Sequence, residues 1–226
     1  MVGDGLRALA AAVSGGLAPG LGAVCGRPAG AVWSAAELAA TFGMWQAMLV
    51  AMMGPVVLPW LLAIRRHGGR TGFFLLGYAA VWSAFGLAAT GLQWALARGG
   101  ILAADRFVAH PLAAGAALVL VGLYQWTPLK DACLTHCASP AVFLLTRWRD
   151  GWRGAVAMGA EHGLYCVGCC WLLMTLMLVA GAMSLPWMAA VGLLVLAEMY
   201  VARLRWLTRA AGALLVLGGV VLPLVS

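Results

Sequence analysis

The chain has 226 residues, 64% of them apolar and 9% charged, with a formal net charge of +7 and a mean hydropathy of +0.97. Soluble domains do not reach that balance, so the composition excludes a water-facing globular fold and predicts an all-α, polytopic transmembrane helix bundle. The 14 Lys and Arg, against 7 Asp and Glu, fall mostly in short connections between apolar stretches, a topology signal that implies no nucleic-acid partner.

Crossing a hydrocarbon core takes about 20 apolar residues in a helix. Residues 6–24 are apolar but rich in Gly and broken by Pro19, so they give either a weak first helix or a signal-like anchor. Strong stretches follow at 37–64, 72–97, 110–126, 156–183, 185–200 and 209–225. The expectation is one integral membrane domain over residues 1–226, with six or seven spanning helices: 1–30 as the weak N-terminal helix or anchor and 31–226 as the core. Arg65, Arg66 and Arg70 fill one loop, Lys130, Arg147, Arg149 and Arg153 the next of that set, and Arg203, Arg205 and Arg209 a third. The alternating loops hold only Arg98 and Arg106, or no charge at all. Cytoplasmic loops attract Lys and Arg, which predicts a multi-pass bacterial inner-membrane protein with these charged loops cytoplasmic and the C-terminus periplasmic. Trp33, Trp94 and Trp187 at one set of ends, and Trp60, Trp126 and Trp206 at the other, fit interfacial aromatic belts.

Five of the six cysteines fall in two clusters, CLTHC at 133–137 and HGLYCVGCC at 162–170, both assigned by this topology to the cytoplasmic end of the bundle. On a helix, His162, Cys166, Cys169 and Cys170 share a stripe roughly 100° wide. Cys133, His136 and Cys137 are spaced i, i+3, i+4, so one turn of helix is expected to point all three the same way. Thiolates and imidazoles select soft metals, Cu(I) or Zn(II), over the oxygen-loving ions. Cu(I) ranks first because thioethers bind it and hardly bind zinc. Met174 continues the ligand face beyond Cys170, while Met44, Met48 and Met52 form a second methionine stripe at i, i+4, i+8, with Met53 beside it. Packing accounts for methionines at such spacing equally well. Cytoplasmic thiols stay reduced, so a disulfide framework is disfavoured, and Cys25 lies on the other side with no evident partner.

Ionisable groups at membrane depth are costly, which makes Glu161, His162 and Glu198 functional candidates. Either carboxylate suits the far ring nitrogen of a metal-binding histidine. Pairing with a loop arginine is the alternative for Glu198, and Lys130 and Asp131 are assigned to interfacial water. Pro55 and Pro59 are expected to bend the first strong helix, and Pro128 to end the third.

The strings WSAAELAATFGMWQAMLVAMMGPVVLP, YQWTPLKDACLTHCASP, EHGLYCVGCCWLLM and GAMSLPWMAAVGLLVLAE resemble the bacterial family of predicted metal-binding integral membrane proteins of unknown function. The likeness covers most of residues 33–220. It implies a metal site built from Cys133, Cys137, His162, Cys166, Cys169 and Cys170, with Ala51–Met53 nearby. In that family the acidic position matching Glu198 usually precedes a basic residue; here Met199 follows, which weakens a pairing role.

The leading expectation is a membrane protein that handles Cu(I) for transport, delivery or homeostasis, with a metallochaperone or cuproenzyme as partner. It is not read as an enzyme: no Gly-x-Ser-x-Gly elbow, His-Glu-x-x-His pair or ATP-binding loop is present. The alternative is a membrane thiol–disulfide oxidoreductase that uses Cys166 with Cys169 and Cys133 with Cys137 as redox pairs. Haem or iron–sulfur attachment is a third reading, without a Cys-x-x-Cys-His motif to support it.

Overall fold

The structure is a computed structural model that describes residues 33–100, 111–180, 185–200 and 205–225. The expected helix over 6–24, and Cys25, lie outside the described residues. Within them the chain is helical and strand-free, as the hydropathy pattern predicts.

Helix α1 (Ala35–Arg66) opens with a capping box: the Ser34 hydroxyl accepts from the Glu37 N–H at 3.3 Å and the Glu37 carboxylate accepts from the Ser34 N–H at 2.7 Å. It runs unbroken through Pro55 and Pro59 and ends on Arg65 and Arg66, whose charges suit the negative end of the helix dipole. Gly68, at φ +72°, then turns the chain into α2 (Thr71–Arg98). Helix α3 (Pro111–Tyr124) gives way to α4 (Pro128–Cys137), bent 64° from it. Pro128 starts α4 and the Thr127 hydroxyl accepts from the Lys130 N–H, so the break expected at this proline is also the start of a new helix. Helices α5 (Pro140–Arg147), α6 (Gly151–Thr175), α7 (Met177–Ala180), α8 (Leu185–Tyr200) and α9 (Arg205–Val225) follow.

Four helices are long and apolar enough to cross a membrane, Ala35–Arg66, Thr71–Arg98, Gly151–Thr175 and Trp206–Leu224; the bent pair α3 and α4 makes five if it counts as one span. The helical bundle expected from the six apolar stretches is present, and among the described residues two of those stretches form shorter or bent helices. The third is cut short where Pro128 redirects the chain, and among the described residues Trp187–Tyr200 is a shorter apolar helix.

Glycines set the closest helix contacts. A Cβ at Gly77 of α2 would fall on the Val156 carbonyl of α6, and one at Gly159 of α6 on the Phe74 carbonyl of α2. Phe74 meets Gly159 and Val81 meets Gly163, so α2 and α6 run parallel. Gly115 against Gly219, and Gly122 against Gly212, lock α3 and α9 together antiparallel. Small residues are the usual device for bringing membrane helices together, because lipid gives no hydrophobic drive between helices. Helix α1 lies antiparallel along α2, with Trp60 stacked on Phe74 and Trp45 edge-on to Phe85, each pair at 6.4 Å.

The loop that holds Arg65, Arg66 and Arg70 meets the one that holds Arg147 and Arg149. His67 lies 6.4 Å ring to ring from Trp148, and the Trp126 indole donates to the Arg209 carbonyl at 3.1 Å. Trp126, Trp187 and Trp206 are exposed, as a belt requires, but Trp60 is not. It is 1% exposed and packs inward on His162.

Candidate functional site

Helix α4 buries Lys130, Cys133, Leu134 and Cys137, the i, i+3, i+4, i+7 face of a short helix tucked back into the bundle. Helix α6 buries His162, Cys166, Cys169, Cys170 and Met174, so the stripe read from spacing is a buried face. The two faces meet. The Cys137 thiol is in contact with those of Cys166 and Cys169. Cys133 packs on Gly168, where an added Cβ would lie 2.7 Å from its sulfur. The Tyr124 hydroxyl donates to the Gly168 carbonyl, pinning the end of α3 at the same level. All five described cysteines are free thiols.

The arrangement is closed by its own hydrogen bonds. Cys169 and Cys170 donate to the Cys166 carbonyl at 3.1 and 2.9 Å, and the Tyr78 hydroxyl lies 3.4 Å from the Cys166 sulfur. Tyr78 stands two turns into α2, ~10 Å from its start at 1.5 Å per residue. The thiols thus sit inside the bundle, some way in from the basic end rather than on it. Among the described residues, no three His, Cys, Asp or Glu side chains stand ready to hold a metal ion.

His162 lies in an aromatic stack. Its ring is 3.8 Å from that of Trp60, 5.5 Å from Tyr78 and 5.9 Å from Phe74, all near parallel. It is 1% exposed, and its Nε2 has no hydrogen-bond partner among the described residues. A buried imidazole nitrogen left unsatisfied is costly unless something completes it.

Three expectations need correction. His136 does not share the direction of Cys133 and Cys137: it is exposed, its ring stacks 4.3 Å from Tyr165 and its Nδ1 contacts the Ala132 carbonyl at 2.9 Å. Position i+3 of this particular turn lies on the outer edge, because Lys130, Cys133 and Cys137 define the inner one. Glu161 does not serve His162. Consecutive helix residues point about 100° apart, and its carboxylate pairs with Arg147 at 2.6 Å and Arg149 at 3.2 Å. Lys130 is not in interfacial water but fully buried; its ammonium donates to Glu198 at 2.8 and 3.0 Å and to Gln125. Among the described residues, Glu198 therefore pairs with a lysine of α4.

The Glu161 pair is partly exposed, with both arginines about half open to solvent. Such pairs contribute on the order of 0–1 kcal/mol. Glu161→Gln is expected to shift unfolding in detergent by no more than that, and a larger loss would give Glu161 a role beyond this surface contact.

Met52, Met53 and Met174 are buried in the same core as the thiols. Met53 lies on α1 between Trp60 and Trp45, which contact Phe74 and Phe85, and so at the level of Tyr78 and Trp82. Sequence reasoning missed Tyr78, Trp60 and Lys130 as neighbours of the site. The polar tip of Tyr78 in an otherwise apolar stretch was the available signal; nothing local distinguished Trp60 from an interfacial tryptophan.

Residues 42–222 match the family model PpoB2, described as a copper chaperone. No curated protein and no solved structure matches the chain.

Proposed function

The chain belongs to the PpoB2 copper chaperone family, and from that premise we propose that it carries Cu(I) on the thiols that α4 and α6 bring together, for delivery to a partner protein. The observation that carries the reading is the contact of Cys137 with Cys166 and Cys169, donors from distant stretches of chain meeting in a buried, soft-ligand pocket. Cysteine thiolates favour Cu(I) over harder ions, and a two- or three-coordinate cuprous ion needs no more donors than these. Cys170 and Cys133 border the pocket, and the unsatisfied His162 Nε2 is a further donor at its edge. Met52, Met53 and Met174 are weaker thioether donors through which the ion moves on. Zn(II) fits the thiols but gains nothing from the methionines.

Loading requires the thiols to turn. A thiol that hydrogen-bonds its own helix, as Cys169 does to the Cys166 carbonyl, gives that bond up, and the two sulfurs that take the ion lose their protons and face it. The protein sits in the bacterial inner membrane, with the basic ends of α1, α2 and α6 at the cytoplasmic face and a metallochaperone or cuproenzyme as its partner. Glu161 and His136, both facing outward on that side, take no part in holding the ion.

Purified protein, reduced and kept in detergent, is titrated with Cu(I) against a chromophoric cuprous chelator and then assayed for metal. One Cu(I) per chain, held more tightly than Zn(II), is the expected result. No retained copper, or a preference for zinc, would overturn the reading. Formation of a Cys137–Cys166 disulfide that exchanges with a partner thiol, with no copper bound, would favour the thiol oxidoreductase that the same cross-helix contact permits.

A further inference from the structure

Lys130 and Glu198 are the one cation and the one acid buried among the described residues. Their ion pair is closed from water, at 0% and 3% side-chain exposure, in a place where hydrophobic packing is often at least as stable. Three features tie it to the thiols. Lys130 shares the buried face of α4 with Cys133 and Cys137. Cys169 lies within electrostatic reach of both Glu198 and Cys133. Among the described residues Glu198 also faces Lys130 and Thr208 of α9, while Gln125 holds the lysine from the α3 side.

Resting on the copper reading above, we propose that Lys130 and Glu198 balance the charge of the thiol pocket, so that Cu(I) enters with one proton released to water and the second kept on Glu198. Before loading, two neutral thiols stand beside an ammonium and a carboxylate that cancel. Binding breaks two S–H bonds and forms two Cu–S bonds, leaving a copper bis-thiolate of charge −1. One thiol proton moves to the Glu198 carboxylate, which becomes neutral. The Lys130 ammonium then faces the anionic complex. One positive charge arrives with copper and one leaves with the second proton, so the buried region stays neutral throughout. Without this exchange an uncompensated charge would be left in a medium of low dielectric, which is the costly outcome.

The test uses the full chain in detergent micelles, with free Cu(I) fixed by chelator competition. Protons released per copper are counted with an indicator dye in weak buffer, and affinity is followed between about pH 6 and 8, where free thiols are protonated. The wild type is expected to release one proton per Cu(I), and its Kd to change about tenfold per pH unit. Two protons per copper, with a Kd slope of about a hundredfold per pH unit, would overturn the proposal and leave the ion pair purely structural. In Lys130→Met, Glu198 has no ammonium to keep it ionised and no longer accepts a proton. Release then rises to two and affinity falls roughly 10- to 100-fold. Release still at one in that variant would place the retained proton elsewhere, on His162, and would also overturn the assignment. If no copper binds at all, the copper reading itself has failed, an outcome distinct from either proton count.

Discussion

Cys166→Ser is expected to weaken Cu(I) binding by roughly a thousandfold, about 4 kcal/mol, the largest loss from any single cysteine. Cys166 is the hub of the cluster. It is fully buried, its sulfur touches the Cys137 thiol and the Tyr78 hydroxyl, and its carbonyl accepts from Cys169 and Cys170. Serine keeps the size and the hydrogen bonding but replaces a soft sulfur by a hard oxygen that cuprous ions bind poorly. The backbone interactions of position 166 survive, so the fold is retained and the loss reads on ligation. Cys133→Ser removes a thiol that packs on Gly168 at the margin, and the expected loss is far smaller. His136→Ala, on the outer edge of α4, is expected to leave affinity unchanged. Competition against a cuprous chelator measures all three. An effect of His136→Ala as large as that of Cys166→Ser would mean that α4 turns its other face to the ion.

The division between what was legible in the sequence and what was not follows the range of the physics. Helix period is local, and so the buried stripe of His162, Cys166, Cys169, Cys170 and Met174 on α6 was readable from spacing alone. The inward pair Cys133 and Cys137 was readable for the same reason, but not the exclusion of His136. An i, i+3, i+4 triplet spans a wide arc, and only the docking of α4 against α6 decides which edge faces in. Lys130 was misplaced because a lysine beside an aspartate looks like a wet loop; its partner Glu198 lies 68 residues on, a pairing that no local pattern encodes. Trp60 went wrong in the same way. Its distance from Arg65 suited an interfacial belt, whereas the stack with His162 depends on how α1 crosses α6.

Hydropathy identified the helices but not the bend that splits the third. The stretch over 110–126 reads as one more span, yet Pro128 and the Thr127 cap restart the helix at a 64° bend. That break is what returns Cys133 and Cys137 to the interior. A straight third helix would have carried both thiols out past the basic end, away from Cys166. The same proline that spoils a regular crossing thereby assembles the pocket.

The pocket also depends on how closely α2 approaches α6, and Gly159→Val is expected to destabilise the protein by about 3 kcal/mol or more. A Cβ at Gly159 would fall on the Phe74 carbonyl, which is backbone and has no rotamer by which to move aside. Gly77 makes the reciprocal contact with the Val156 carbonyl and Ala160 nitrogen, so any relief at one glycine strains the other. The helices must separate, and with them Tyr78 and Cys166. Gly54→Ala, where nothing lies within 4 Å of the new carbon, is the control. It removes a flexible residue from a helix interior and is expected to be neutral or stabilising by up to about 1 kcal/mol. Unfolding in mixed micelles of denaturing and mild detergent measures both. Copper affinity in whatever Gly159→Val remains folded is expected to fall as well, because the Tyr78 hydroxyl that contacts Cys166 moves with α2. A Gly159→Val protein as stable as the wild type would show that α2 and α6 do not pack through this seam, and the placement of Cys166 beside Cys137 would lose its support.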